Sequence, residues 1–437
     1  MSVSGRPDTT KINTTVPLLI ICMVFFVFGF ATWINAVLIP YFKLACELSN
    51  FESYLVTFAF YISYLVMSVP SSFLLKRTGF KTGMMTGFWI MAAGAFLFLP
   101  AAYYRAYPVF LIGLFTIGVG LSLLQTAANP YVTILGPEER AAQRISIMGI
   151  CNKTAGIIAP LLLATFIIRP ADKDLFAEIP RMDSLQKTAV LDELIRRVML
   201  PYAIVGSVLT LLGFLIRFSP LPEIEQSPGR QSETVRKDRM AILRYPHLVL
   251  GAVAIFFHVG SQVIAIDSII PYAQSTGMPL TEAKVFPSYT LFATICGYLF
   301  GISCIPKIIS QKTALQICTV LGIVFSTLVV LANGPVSFLG HRTDLSVWFI
   351  VSLGFANSMI WAGIWPLALR KLGEHLKLGA SLLIMGLCGN AILPLFYGYF
   401  ADRFGLREAY LVLLPCYFYL VYYAFSGHAV KNWRFSK

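Results

Sequence analysis

Apolar residues in this chain gather into long runs of about 20 to 25 positions, separated by short clusters of charge, Gly and Pro. The runs fall near 16–40, 53–75, 82–103, 107–134, 145–168 and 199–218. A second set lies near 246–273, 285–304, 313–333, 346–368, 379–401 and 409–426. Each is long enough to cross a bilayer as a helix, in which every backbone group finds its partner within the segment. The pattern predicts an all-α membrane protein with twelve transmembrane helices. Between the two sets, Ser219–Leu243 is polar and Pro-containing and includes Glu223, Glu225, Arg230, Arg236, Lys237 and Arg239, as a linker would. The expected organisation is a six-helix half over 1–218, a cytoplasmic linker over 219–243 and a second half over 244–437.

The halves repeat one another. Phe25-Phe26-x-x-Gly29 with Ile39-Pro40-Tyr41 recurs 231 positions later as Phe256-Phe257-x-x-Gly260 with Ile270-Pro271-Tyr272. Ile147-Met148-Gly149-Ile150-Cys151 recurs 237 positions later as Ile384-Met385-Gly386-Leu387-Cys388. Two same-facing bundles joined by a charged linker are a parallel-repeat arrangement used for alternating access.

Composition sharpens the reading. Of 437 residues 57% are hydrophobic and only 13% charged, so the solvent of this surface is lipid. The net charge of +13 does not form a nucleic-acid patch, because the basic residues recur between apolar runs. They are richer on the segments that would be cytoplasmic if both termini are inside, while half of the outer positives sit in one loop, Arg169–Met199. That loop spaces Leu175, Ile179, Met182 and Leu185 as a surface helix would. The first apolar run is too long for a cleaved signal. Eight scattered cysteines give neither a disulfide framework nor a metal spacing.

Removing the loops leaves two charges within spans, Lys153 and Asp267. An ionised group at mid-membrane costs about 2.5–3.5 kcal/mol on insertion scales, so each requires a cavity, water or a partner. Asp267 reads as a protonatable or cation-binding carboxylate, and Lys153 as its counter-charge, a substrate ligand or a snorkelling side chain. His258 reads as a packing histidine. Neutral polar groups point to the substrate: Trp33, Asn35, Gln125, Asn129, Asn152, Gln262, Asn357, Trp361 and Asn390. Amides donate and accept as hydroxyls do, and indole faces stack on the C–H side of a sugar ring. Any one amide also serves as helix-to-helix glue. No catalytic triad or metal cluster is found, so the chain is not expected to be an enzyme.

The stretch Phe25–Phe42 resembles the first helix of the fucose permease family of major facilitator transporters. The resemblance continues through Leu124-Gln125-Thr126-Ala127-Ala128-Asn129-Pro130-Tyr131-Val132-Thr133, Leu135-Gly136-Pro137-Glu138 and Asn152, and is closest to the glucose/galactose branch, the sugar transporters of Bacteroidetes. It implies the major facilitator fold, a bacterial inner-membrane location, and uptake of a neutral monosaccharide with a proton or sodium ion, without a further cofactor and with a single chain sufficing. Facilitator-type efflux, or transport of a non-sugar metabolite, is the alternative. Two departures stand out. Where the fucose permease carries acids in helices one and four, this chain has Ala36 and Gln125. Under the 231-residue offset Ala36 corresponds to Asp267, so the coupling charge is expected on helix seven.

Overall fold

The computed structural model describes residues 15–134, 141–169, 172–221, 243–305, 308–370, 372, 376–430 and 432–433. Most of the expected linker, 222–242, lies outside them. The first helices are α1 (Thr15–Trp33), α2 (Asn35–Ala45), α3 (Asn50–Phe96), α4 (Phe98–Tyr103) and α5 (Tyr107–Ile134). They are followed by α6 (Ala141–Ile167), α7 (Asp172–Glu178), α8 (Ser184–Arg196) and α9 (Met199–Phe218). After the linker come α10 (Pro246–Asp267), α11 (Ile269–Ser275), α12 (Leu280–Ala283), α13 (Phe286–Cys304) and α14 (Gln311–Leu331). The chain closes with α15 (Leu345–Asn357), α16 (Ile360–Ala368), α17 (Leu376–Met385), α18 (Gly389–Phe404) and α19 (Leu413–Phe425).

The architecture is helical with one correction to the all-α expectation. β1 (Pro335–Phe338) and β2 (His341–Asp344) form an antiparallel hairpin in the connection before α15. Gly334 and Gly340, both at positive φ, turn the chain into and within it, and Asp344 caps α15 by accepting from the Ser346 N–H at 3.0 Å. The hairpin marks one end of the bundle.

Ten helical stretches among the described residues are long and apolar enough to cross a bilayer, and ten of the twelve sequence runs fall on them. The other two, 53–75 and 285–304, are helical too, in the first part of α3 and in α13. α3 starts with a capping box, the Glu52 N–H donating to Ser49 Oγ and the Ser49 N–H to Glu52. Two predicted spans meet inside α3, where Gly79, at φ 78°, is the non-helical residue between them. In the long loop, Ile179 is buried and Leu175 and Met182 half-buried, but Leu185 is exposed, because the surface helix is interrupted at Ile179–Arg181.

α1 packs on α6, and α3 on α5 and α9, whereas α10 packs on α16, α18 and α19, and α14 on α15 and α19. The repeat is visible in two of these crossings. A Cβ on Gly29 would lie 1.8 Å from the Asn152 carbonyl oxygen of α6, and one on Gly260 would lie 2.7 Å from the Gly389 carbonyl oxygen of α18. Offset 231 relates the glycines and offset 237 their acceptors, so the same backbone approach is built twice.

Candidate functional site

The two sets of helices meet along α3 and α18, α6 and α13, and α2 with α10 and α11. Hydrogen bonds between them cluster toward the hairpin end. Asp402 near the end of α18 accepts from the Asn50 and Phe51 N–H groups, each at 2.8 Å, and from Asn50 Nδ2 at 2.7 Å. The carboxylate thus completes the N-terminus of α3 in the other half, where free N–H groups favour an anion. Tyr54 and Tyr397 meet edge to face at 5.5 Å, and Ser288 Oγ donates to the Ile157 carbonyl at 2.8 Å.

Asp267 stands one layer deeper. It is the last residue of α10, before the chain breaks at Ser268 and resumes as α11. The carboxylate is 1% exposed, and its Oδ2 accepts from Thr57 Oγ1 of α3 at 3.0 Å. The break itself is mended by hydroxyls: Ser268 Oγ donates to the Ile264 carbonyl at 2.6 Å and pairs with Tyr410 Oη at 2.6 Å.

Lys153 does not pair with Asp267 among the described residues. Its Nζ lies 4.4 Å from the centre of the Trp33 ring, in cation–π contact. One turn further along α6, Gly156 has room for the indole, since a Cβ there would lie 2.4 Å from Trp33 Cδ1. Trp33 is therefore clamped on α6, buried, and its ring is taken up by protein rather than open for stacking. Asn152 is half-buried and donates a long bond, 3.5 Å, to the Phe25 carbonyl of α1. Gln125 is half-buried and donates to Tyr64 Oη at 3.1 Å. Asn129 lies one turn along α5, with its side chain outside the described residues. Asn35 is fully buried inside the first set of helices, away from the surface the halves share.

On the other side, Gln262 is half-buried on α10 without a hydrogen-bond partner among the described residues. Asn357 accepts from Tyr417 Oη at 3.0 Å and keeps a buried, unpaired Nδ2. It stands at the break between α15 and α16, with Trp361 and Trp365 just beyond, half-buried with rings 5.5 Å apart. Asn390, whose Oδ1 lacks a protein partner, opens α18. By the 237-residue offset it is the mate of Lys153. His258 is buried on α10 with an unpaired Nδ1.

Sequence reasoning missed the hydroxyls: Thr57 on Asp267, Tyr64 on Gln125, Tyr417 on Asn357, and Ser268 with Tyr410. Ser, Thr and Tyr recur throughout membrane helices, so composition alone does not single them out. The one available signal was Ser268 directly after the only acid within a span.

The Major Facilitator Superfamily profile matches residues 21–386. A glucose/galactose transporter of Brucella abortus is 31% identical over 409 residues, 93% of this chain and 92% of that one. An L-fucose-proton symporter of Escherichia coli is 28% identical over 425 residues, 95% and 94% of the two chains. The crystal structure of the Escherichia coli fucose:proton symporter superposes with a TM-score of 0.67 at 25% identity, covering 94% of this chain and 98% of that one. With its stacked apolar helices and polar groups held at helix breaks, this multi-pass membrane chain belongs to the Major Facilitator Superfamily.

Proposed function

We propose that this protein takes up a neutral monosaccharide together with a cation, by alternating access between two six-helix halves. The observation that carries this reading is end-to-end similarity to a glucose/galactose transporter, at 31% identity over 93% of the chain. The likeness to an L-fucose-proton symporter favours the proton as the coupled ion, with Asp267 as its acceptor. In this reading twelve spans, with 1–218 and 244–437 as the halves, cross the bacterial inner membrane with both termini in the cytoplasm. One copy then suffices, and the hairpin end faces outward.

In this reading the sugar sits between Gln125, Asn129 and Asn152 on one side and Gln262, Asn357, Trp361 and Asn390 on the other, with Trp33 and Lys153 bordering it. The partly unpaired amides Asn357 and Asn390 and the free Gln262 suit hydroxyls that both donate and accept. Closed contacts at the hairpin end give the form that exposes the site to the cytoplasm, and rocking of the halves gives the other. Uptake of labelled glucose, galactose or fucose into proteoliposomes tests the function, with proton and sodium gradients applied separately. Accumulation of one sugar under one gradient is expected. Equal flux with and without either gradient would leave a facilitator, and no flux of any sugar would remove the substrate class.

A further inference from the structure

Phe396, Phe400 and Phe404 recur at every fourth position of α18 and are all exposed, while Tyr397 and Gly398 are buried against α3. The Phe400 and Phe404 rings lie 5.8 Å apart and nearly parallel. With Leu411 across from them and the buried Leu393 and Cys416 as a floor, these rings line a groove of about 600 Å³. From Leu393 to Phe404 the helix rises about 16 Å, at about 1.5 Å per residue. That is close to one leaflet of a bilayer core about 30 Å thick.

The groove is apolar along this length and charged only at its mouth, where Glu408 joins the lining. The carboxylate stands over the turn that ends α18, since a Cβ on Gly405 would lie 2.7 Å from Glu408 Oε2. The last carbonyls of a helix favour a cation at the same place. Neither nearby guanidinium is paired with Glu408. Arg403 lies over the Tyr399 ring, 4.4 Å from its centre, and Arg407 bonds Asp344 at 3.0 Å. Glu408 thus has no basic partner among the described residues. A negative mouth on an apolar channel one leaflet long is complementary to a lipid with a cationic headgroup.

We propose that one acyl chain of a membrane phospholipid lies in this groove, with a primary ammonium on its headgroup received by Glu408 and the end of α18. An acyl chain gains no hydrophobic energy by leaving the bilayer for a protein groove, because both are equally apolar. The headgroup therefore supplies the selectivity. A second copy docked two-fold over the groove would bring two Glu408 carboxylates to one rim, which works against that occupant. The site stands whether or not the transported molecule is a sugar.

Photocrosslinking of the full-length protein in lipid nanodiscs tests this without a transport substrate. The probes are phosphatidylethanolamine and phosphatidylglycerol carrying the same diazirine near the end of one acyl chain, and adducts are mapped by peptide mass spectrometry. Adducts of the ethanolamine lipid should gather on Leu393, Phe396 and Cys416 at the inner end of the groove. They should exceed those of the glycerol lipid about fivefold, the ratio that one exposed ion pair supplies. Glu408→Gln should bring the two lipids level, whereas Glu282→Gln, at an exposed carboxylate on α12, should leave the ratio unchanged. Equal labelling by both lipids in the wild type would overturn the proposal, as would adducts no denser in the groove than at exposed Val320 and Val324 of α14. An unlabelled groove in a protein that sediments as a dimer would also overturn it, in favour of a second copy.

Discussion

The seventh span ends α10 on a carboxylate and closes the break after it with protein hydroxyls, whereas the first span has Ala36 at the repeat-related place and, next to it, an Asn35 amide without a protein partner. In each, an earlier glycine lies against a backbone carbonyl of a packed helix, Gly29 against Asn152 of α6 and Gly260 against Gly389 of α18. The backbone plan is shared and the chemistry is not. A pseudo-symmetric fold can therefore put its charge on either side without altering the architecture. In this chain the charge is on helix seven, where Thr57 reaches it from the opposite half.

The largest effect is expected at that charge. Asp267→Asn keeps the shape and the bond to Thr57 but removes the titrating group, so accumulation of sugar against a gradient should be lost while exchange across the membrane persists. Counterflow and gradient-driven uptake in the same proteoliposomes separate the two. Lys153→Met and the double variant sharpen the comparison. Lys153 touches Trp33 and not Asp267, so its loss should leave coupling in place. If Asp267→Asn still concentrates sugar to the wild-type level, helix seven is not the coupling helix.

The glycine crossings come next. At Gly29 an added methyl meets backbone, the Asn152 carbonyl, at 1.8 Å; at Gly260 it meets the Leu393 Cδ1 tip at 2.3 Å, which can turn aside, and then the Gly389 carbonyl, less closely, at 2.7 Å. Overpacking costs about 1–3 kcal/mol, and Gly29→Ala should fall at or beyond the upper end and Gly260→Ala near the lower. Thermal unfolding of the two purified variants checks the order, and equal losses would mean that the two crossings are equally tight.

The amides form a third contrast. Gln125 and Asn152 already bond to protein, whereas Gln262 is free among the described residues. Gln262→Ala should weaken sugar binding by about 1–3 kcal/mol, the cost of leaving buried hydroxyls unmatched. Gln125→Ala and Asn152→Ala should weaken it too, with added losses in stability from Tyr64 and the Phe25 carbonyl. Titration calorimetry alongside unfolding separates binding from packing.

Much of this was legible in the sequence, because apolar runs report the solvent directly: the spans, the repeat and the buried acid all follow from where lipid forbids polarity. Asn35 shows the limit. Its residue type and its position in span one suggest a ligand, but which side of a helix a residue faces is set by the helices packed on it, and Asn35 turns toward α3, α5 and α9. Trp33 shows the same: an indole near mid-membrane reads as a sugar platform until Gly156 and Lys153 are seen to hold it. The hairpin at Pro335–Asp344 went unread because its strands are four residues each and the second, His341–Asp344, carries no apolar residue.

The smallest effect is expected at Thr57, the partner that Asp267 finds across the halves. The hydroxyl is fully buried, and the bond it donates joins the two halves directly beneath the Asp402 contacts with Asn50 and Phe51. Thr57→Val keeps the volume and removes the donor, leaving a buried carboxylate short of one hydrogen bond, a loss of about 1–3 kcal/mol for a charged acceptor. That loss falls on the form closed at the hairpin end, because opening that end would carry Thr57 and Asp267 apart with their halves. The population should therefore shift toward the form open at the hairpin end. A cysteine placed at Tyr54, buried beneath that seal, reports the shift: it should react faster with a membrane-impermeant maleimide in the Thr57→Val background. Sugar uptake should persist, since Asp267 still titrates. An unchanged labelling rate would make the Thr57–Asp267 bond a local contact with no bearing on which end of the protein is open.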